Sequence, residues 1–341
     1  MPDHVVPLER ILAARDFLAG RVHRTPLLAS ATAARVVEAA TGARPADGRL
    51  YAKAEHLQLT GSFKPRGASV RMASLTAAER AGGVVTLSAG NHAQAVALAA
   101  ARAGIHAVLV MPEGAVRSKV DACLGYGAEV VLYGEHVGGT FRRMHELAVE
   151  RGLTFIPPFD DPDIIAGQGT VGLEILDDLP EVDVVVVGVG GGALVSGIAA
   201  ALKERRSTVR VYGVEPERSN ALSLAVAAGR VVELTPVSVA DGLGAPFAGA
   251  WTLAMGRRYL DGIVLLDDPT ILAGLRFAAE RMKQVLEPAG AAALAAVLTG
   301  RVPLRPGDRV CVVLSGGNVE IGRLGELLAA AAPLPVPAPA R

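Results

Sequence analysis

The sequence contains few cysteines, few aromatic residues and no excess charge of either sign. Two of its 341 residues are cysteine and 4% are aromatic, while 34 basic residues balance 34 acidic ones. Cys123 and Cys311 have neither the spacing of a metal site nor that of a disulfide framework, which fits a reducing cytoplasm. Balanced charge and scarce aromatic rings argue against nucleic acid as a partner.

Long apolar runs are also scarce, and the exception is residues 184–202, nineteen positions without a charge. This length approaches that of a membrane span, but four valines open the run and five glycines interrupt it. A buried strand, a glycine loop and a helix explain it better than one spanning helix. The N-terminus, MPDHVVPLER, carries charges where a secretory signal is apolar. We expect a cytoplasmic protein without a membrane partner.

Apolar residues are abundant, at 51%, and they occur in alternating strand-like and helix-like segments. The strand-like segment 184–188 precedes a helical pattern over 193–205, and further helical patterns cover 91–103 and 270–285. This alternation is typical of α/β proteins with parallel sheets. We predict two open, mostly parallel twisted sheets with helices on both faces.

The segment 83–158 has its own strand and helix series, which predicts an inserted unit. We predict a large domain from residues 1–82 and 159–330 and a small mobile domain from residues 83–158. The segment 331–341 is rich in proline and alanine and is predicted to be disordered.

The motif SFKPRGA places Lys64 directly before a proline and a helical pattern. Pro65 is tolerated in a first helical turn, so Lys64 lies at or just before a helix N-terminus. The positive end of the helix dipole, together with burial, lowers the pKa of an amine there. A neutral lysine amine is what Schiff-base chemistry with a carbonyl requires. Spacing alone leaves a solvated surface lysine as the alternative.

Three other loops follow strands, where ligands gather in open parallel sheets. The loop 88–92, SAGNH, offers backbone N–H groups to a carboxylate and Asn91 to a ring hydroxyl. The loop 188–194, GVGGGAL, has the context of a phosphate cradle. The loop 315–318, SGGN, offers Ser315 to a heterocyclic nitrogen. An ordinary turn is the alternative reading of the first and third loops.

The glycine loop also satisfies G-x-G-x-x-A, and Glu215 ends a later strand. This is where a ribose-binding acid stands in a dinucleotide fold. An NAD-dependent oxidoreductase is therefore a second hypothesis at this point.

Five motifs taken together, SFKPRGA, SAGNHAQ, VGGGAL, LEPAGA and SGGNV, resemble the pyridoxal-phosphate enzymes of fold type II. Within that group the chain is most similar to the threonine/serine dehydratase and serine racemase branch, from about residue 8 to residue 325. The resemblance implies a tryptophan synthase β-like fold, pyridoxal 5′-phosphate as cofactor, an amino-acid substrate and a homodimer or homotetramer.

The resemblance also implies a role for each motif. Lys64 would carry the cofactor, Asn91 would bond the ring 3-oxygen, and Ser315 would face the ring nitrogen. The full implied cofactor set is Phe63, Lys64, Asn91, Gly190, Gly191, Gly192, Ala193, Glu287 and Ser315. The implied contacts of the substrate carboxylate are Ser88, Ala89, Asn91 and His92.

The implied activity is conversion of L-threonine to 2-oxobutyrate and ammonia, of L-serine to pyruvate and ammonia, or both. Racemases of the family have a serine where this chain has Ala89, and a methyl group cannot transfer a proton. A dehydratase is therefore favoured. The alternatives are a serine or aspartate racemase, a threo-3-hydroxyaspartate ammonia-lyase and a binding protein on the same fold. The oxidoreductase is a remote alternative because it gives Lys64 and Ser315 no role.

Family members often bind a divalent cation beside the cofactor loop through a glutamate, a carbonyl and an aspartate. Glu215 and Ser219 match the first two, but Ala221 stands at the position of the aspartate. Loss of one oxygen ligand weakens such a site, so we predict no metal.

Overall fold

The strands of the structure, a computed structural model that describes residues 4–135 and 137–338, form two separate sheets. The strands are β1 (Leu27–Ser30), β2 (Leu50–Lys53), β3 (Val84–Leu87), β4 (Ala107–Met111), β5 (Glu129–Leu132), β6 (Thr154–Phe155), β7 (Val184–Gly188), β8 (Arg210–Pro216), β9 (Gly262–Leu266) and β10 (Val310–Val313). The larger sheet has the order β1-β2-β10-β7-β8-β9, and the smaller has the order β5-β4-β3-β6. Only the β1–β2 pair is antiparallel among these strands. The predicted pair of mostly parallel sheets is confirmed.

Helices connect the strands and cover both faces of the sheets. They are α1 (Leu8–Leu18), α2 (Ala31–Thr41), α3 (Pro65–Ala73), α4 (Ala77–Gly82), α5 (Asn91–Ala103), α6 (Arg117–Gly125), α7 (Val137–Arg151), α8 (Pro162–Asp178), α9 (Ala193–Arg205), α10 (Ala221–Ala228), α11 (Ala250–Tyr259), α12 (Asp268–Phe277), α13 (Pro288–Leu298) and α14 (Ile321–Ala330). Among the helices of the described residues, none is both long enough and apolar enough to cross a membrane.

The central strand β7 explains the run of valines in the sequence. Val184 and Val186 pack into one core with α2, α12, α13 and α14, whereas Val185 and Val187 pack into another with α1 and α8 to α11. A strand buried on both faces reads as a continuous apolar run. Behind it, α8 and α9 approach so closely that a Cβ on Gly197 would lie 2.3 Å from a backbone oxygen of α8.

The smaller sheet lies entirely within residues 84–155. The division of the chain into domains and the mobility of residues 83–158 stay predictions. Of the terminal segment 331–341, residues 339–341 lie outside the described part. Leu334 and Val336 pack against the core beside α13, and Arg35 Nε donates to the carbonyl oxygen of Pro337 at 3.3 Å. The disorder of this segment also stays a prediction.

Candidate active site

Lys64 lies at the start of α3, beside the end of the larger sheet. It immediately precedes α3, which begins at Pro65 as the sequence predicts. The backbone N–H of Phe63 donates to the carbonyl oxygen of Ser315 at 3.2 Å, so the lysine segment is held against the loop after β10. Lys64 Nζ donates to the carbonyl oxygen of Pro158 at 2.8 Å and lies 5.2 Å from the centroid of the Phe63 ring. The structure therefore brings the predicted lysine and serine motifs together.

The Lys64 amine is shifted toward its neutral form. Burial lowers its pKa from 10.5 to about 8, because the charged form loses hydration. The negative charge of Glu287 acts in the opposite direction and does not cancel the effect of burial. A group with this pKa supplies neutral amine near physiological pH, which is the form that attacks carbonyls and accepts protons.

A buried ionic network fixes the first turn of α3. Arg66 is 1% exposed and Glu55 is 0% exposed. The Arg66 guanidinium donates to Glu55 at 2.8 Å through both Nε and Nη2, and to Glu174 at 2.7 Å through Nη1. Lys53 Nζ lies 2.7 Å from Glu174, so two cations face two carboxylates. Because Arg66 follows Lys64 by two residues, the network holds the backbone that carries the amine.

The electrostatics of this network are balanced. Burial opposes ionisation of Glu55, but Arg66, Thr25 and Lys53 together outweigh it and hold the pKa of that carboxyl below its ordinary value. No role was predicted from the sequence for Lys53, Glu55, Arg66 or Glu174. A lysine at the end of the apolar strand β2 was the available signal, since lysine is rarely buried without a partner.

The glycine turn between β7 and α9 has no room for side chains. A Cβ on Gly191 would lie 2.1 Å from Cγ of Phe159, and one on Gly192 would lie 2.9 Å from Cβ of Thr252. Gly192 has φ +93°, a conformation that L side chains rarely adopt. No described side chain caps the N-terminus of α9, which begins at Ala193. Its first N–H groups and the helix dipole therefore suit a phosphate.

Asn91 and Glu287 meet beside the loop after β10. Asn91 Nδ2 donates to Glu287 Oε1 at 2.6 Å, and Asn318 Nδ2 donates to Asn91 Oδ1 at 2.7 Å. A Cβ on Gly316 would lie 2.3 Å from Glu287 Oε1, so the glycine allows this close approach. Burial raises the pKa of Glu287 to about 7, although the bond from Asn91 acts to lower it. The motifs LEPAGA and SGGNV are thus joined to SAGNHAQ.

The other residues predicted to contact the substrate carboxylate, Ser88, Ala89 and His92, lie at the start of α5 and have different surroundings. Ser88 Oγ accepts from the backbone N–H of Gly90 at 3.1 Å, and Ala89 packs against the core of the smaller sheet. His92 is buried, with Nε2 3.2 Å from the carbonyl oxygen of Ile156. Burial, helped by the charge of Lys64, lowers the pKa of His92 to about 3, so its ring is neutral.

Both carboxylate oxygens of Glu215 accept hydrogen bonds from the backbone. Its two carboxylate oxygens accept from the backbone N–H groups of Leu222 at 2.8 Å and Ser223 at 2.9 Å, in the first turn of α10. Burial raises its pKa to about 7. Ala221 opens the same helix and offers no oxygen side chain. The donor set does not fit a divalent cation, and the described residues contain no cluster of three or more potential metal ligands of the histidine, cysteine or acidic types.

The amine of Lys64 and the amide groups of the glycine turn fit a cofactor that carries both a carbonyl and a phosphate. The chain belongs to the family of pyridoxal-phosphate dependent enzymes, because the model of that family matches residues 19–316. Its cofactor is pyridoxal 5′-phosphate.

Individual relatives cover almost the whole chain. The catabolic L-threonine dehydratase TdcB of Escherichia coli is 40% identical over 95% of this chain and 97% of its own length. The L-threonine ammonia-lyase of Thermotoga maritima is 40% identical over 95% of this chain and 78% of its own length. The structure of maize serine racemase is also similar, with a TM-score of 0.87 and 34% identity over 95% of this chain and 97% of that protein.

Proposed function

We propose that this chain is an ammonia-lyase for 3-hydroxy amino acids. It converts L-threonine to 2-oxobutyrate and ammonia, and L-serine to pyruvate and ammonia. The observation that carries the proposal is that the site has one amine base of lowered pKa, Lys64, and only a methyl group at Ala89, where a racemase would need a second base. The two L-threonine relatives, each 40% identical, support the same substrate class.

Bound pyridoxal phosphate supplies an electron-withdrawing ring that stabilises negative charge at the substrate Cα. The residues that would hold it are Phe63 beside the ring, Lys64 on its carbonyl carbon, Asn91 on its ring oxygen, Ser315 on its ring nitrogen, Glu287 near the ring, and the backbone N–H groups of Gly190, Gly191, Gly192 and Ala193 on its phosphate. The tight packing around Gly191 and the uncapped start of α9 support the phosphate assignment.

Lys64 is the group that we assign to accept the Cα proton of the substrate. Its pKa of about 8 places it near the operating pH, where a general base is most effective. The substrate carboxylate would lie against the start of α5, where Ser88, Ala89, Asn91 and the neutral His92 stand. Because the pKa of His92 is about 3, its ring is too weak a base to compete with Lys64 for the proton.

A racemase needs a second acid or base on the other face of the substrate, and Ala89 has no titratable group. Purified holoenzyme incubated with L-serine or L-threonine should therefore release 2-oxo acid and ammonia in equal amounts, with little D-isomer. Lys64→Ala should abolish this release while the circular dichroism spectrum is preserved. The similarity to maize serine racemase favours racemisation as the second candidate function. Predominant formation of the D-isomer would overturn the lyase proposal.

Ala89→Ser is the matched variant, because it adds one hydroxyl to the same loop. We expect it to raise the ratio of D-serine to pyruvate, and an unchanged ratio would contradict the second-base argument. An L-threo-3-hydroxyaspartate substrate, tested in the same assay, would extend the class to an acidic side chain.

The setting of the enzyme also belongs to the proposal. We propose that it works in the cytoplasm as a homodimer or homotetramer, with an amino acid as its partner and no nucleic acid. The balanced charge of 34 basic and 34 acidic residues supports the absence of a nucleic-acid partner. Light scattering on the purified holoenzyme should give a mass of two or four chains, and a monomer at working concentration would contradict the oligomer.

A further inference from the structure

Glu287 is a buried acid without a counter-ion. It is 5% exposed, and no lysine, arginine or histidine of the described residues forms an ion pair with it. The side-chain amide of Asn91 donates to Glu287 Oε1 at 2.6 Å. An unpaired carboxylate that is removed from water is costly, so the buried group favours its protonated form.

Glu287 lies between the parts of the site that surround the reacting groups. A Cβ on Gly242 would lie 3.6 Å from Glu287 Oε1. The same segment covers the glycine turn, because a Cβ on Gly190 would lie 3.3 Å from the carbonyl oxygen of Gly242 and 3.2 Å from Cα of Leu243. The carboxyl therefore stands between the glycine turn and Asn91 at the start of α5.

Three charged groups face Glu287 from the elements around it. Asp241, from the turn Asp241–Leu243, raises its pKa, while Lys119 of α6 and Lys64 before α3 lower it. Lys119 Nζ lies 3.8 Å from Asp241 Oδ2, so these two charges partly offset one another. Burial, together with the charge of Asp241, outweighs the bond from Asn91 and the two lysines, which leaves the pKa of Glu287 at about 7.

The proposed reaction, on which this inference rests, needs an acid as well as a base. Hydroxide leaves a carbon poorly unless its oxygen is protonated, so a proton donor must act on the substrate's β-hydroxyl. Lys64 is the base. His92 is neutral and bound to Ile156, and Asp241 is exposed beside Lys119. Among the groups that line the site, Glu287 is the one built to hold a proton.

We propose that Glu287, as a carboxylic acid, donates its proton to the β-hydroxyl oxygen as that group leaves. The Cα–H bond breaks, and its proton moves to Lys64 Nζ. The electron pair of that bond forms the Cα=Cβ double bond as the Cβ–O bond breaks. The oxygen takes the Cβ–O electron pair and the Glu287 proton, and it departs as water. Lys64 is left as an ammonium and Glu287 as a carboxylate, and exchange with solvent restores both after product release.

The test compares two leaving groups in the holoenzyme variant Glu287→Gln. Glutamine keeps an acceptor for Asn91 but has no titrating proton. On L-serine we expect kcat to fall by roughly 100-fold to 10,000-fold, the usual contribution of a general acid. On β-chloro-L-alanine, where chloride leaves without a proton, we expect a much smaller fall in kcat, so that the ratio of the two kcat values changes sharply. Equal losses on both substrates, or no loss on L-serine, would overturn the proposal.

Glu287→Asp retains a carboxylic acid and should recover part of the L-serine activity that Glu287→Gln lacks. It also keeps the proposal testable if glutamine disturbs folding, because a fall on both substrates alike in this variant would again refute it. Wild-type enzyme that eliminates chloride but neither L-serine nor L-threonine would instead refute the proposed function itself.

A second readout needs neither turnover nor cofactor. The pH-difference infrared spectrum of the cofactor-free protein should contain a buried carboxylic acid band that titrates near neutral pH and disappears in Glu287→Gln. Glu215→Gln is the matched control, since Glu215 is also buried with a pKa raised to about 7 and lies at a different helix. Removing it should leave the Glu287 band in place. A Glu287 band that titrates at the ordinary glutamate value of 4.5 would overturn the proposal.

Discussion

The strongest quantitative prediction concerns the Lys64 amine in the cofactor-free protein. Burial lowers its pKa from 10.5 to about 8. At pH 7 the neutral fraction is then about 9%, compared with about 0.03% for a lysine of ordinary pKa, a difference of about 300-fold. Because only neutral amine reacts with carbonyls, this shift should largely determine how fast the apoprotein captures its cofactor.

The chain is well suited to a direct measurement because it contains only five lysines. Trace acylation of the apoprotein across the alkaline range, followed by mass spectrometry of the peptides, reports the reactivity of each amine. Lys64 should reach half of its maximal reactivity near pH 8. The exposed Lys283 provides an internal reference for the reagent. A midpoint near 10.5 would refute the argument that burial activates this amine.

The same assay has a second arm with a definite sign. The negative charge of Glu287 raises the pKa of Lys64. Glu287→Gln removes that charge, so the Lys64 midpoint should move to lower pH. Movement to higher pH, or none, would show that the two groups are not coupled through space in the way that the structure indicates.

Three further predictions concern the surroundings of the site. Arg66→Met leaves buried carboxylates unpaired and should lower the free energy of unfolding, measured by urea titration, by about 3–5 kcal/mol. The control Arg323→Met, at an exposed position, should lower it by no more than about 1 kcal/mol. Similar losses in the two variants would contradict a stabilising role of the buried network. Gly191→Ala should lower the free energy of unfolding by about 1–3 kcal/mol and weaken cofactor retention, measured by absorbance. The new methyl group would lie 2.1 Å from the ring of Phe159. Adding Phe159→Ala to the same chain should therefore restore retention. Burial raises the pKa of Glu215 from 4.5 to about 7, so the folded state keeps a proton that the unfolded state loses. The free energy of unfolding should therefore fall by about 3 kcal/mol as pH rises from 4.5 through 7. Glu215→Gln should remove this pH dependence, and an unchanged dependence would contradict the assignment.

Elements with strong periodic patterns were predictable from sequence alone. The helical patterns over 91–103 and 193–205 match α5 and α9, and the valine run matches β7. The pattern over 270–285 was wrong at both ends. There, α12 begins at Asp268 and ends at Phe277, and a π-helical turn carries the chain to Met282. Lys283 then has φ +58°, which closes the segment in a way that residue propensities do not signal.

The contacts that make the site were less accessible to sequence reasoning. The strand pattern placed Asn91 and Ser315 at strand ends, where parallel sheets gather ligands, and Pro65 placed Lys64 at the start of a helix. The bond from Asn91 to Glu287 spans 196 positions, and the bond from Arg66 to Glu174 spans 108. Such pairs depend on how the two sheets pack, and the pattern of residues in a single sequence does not reveal that packing. Buried ions also contradict the usual location of charged residues, so they appear only when their partners are seen.

The two titrating groups of the site are best understood as a pair. An ionised Glu287 favours the ammonium of Lys64, and an ammonium at Lys64 favours ionisation of Glu287. Burial disfavours the charged form of each, which lowers one pKa to about 8 and raises the other to about 7. The two groups therefore titrate close together in pH. With these pKa values the ammonium with the carboxylate is favoured over the free amine with the protonated acid by only about tenfold, so both states are populated. A site in that balance can both accept a proton at one atom and donate one at another, which is what elimination of a β-hydroxyl demands.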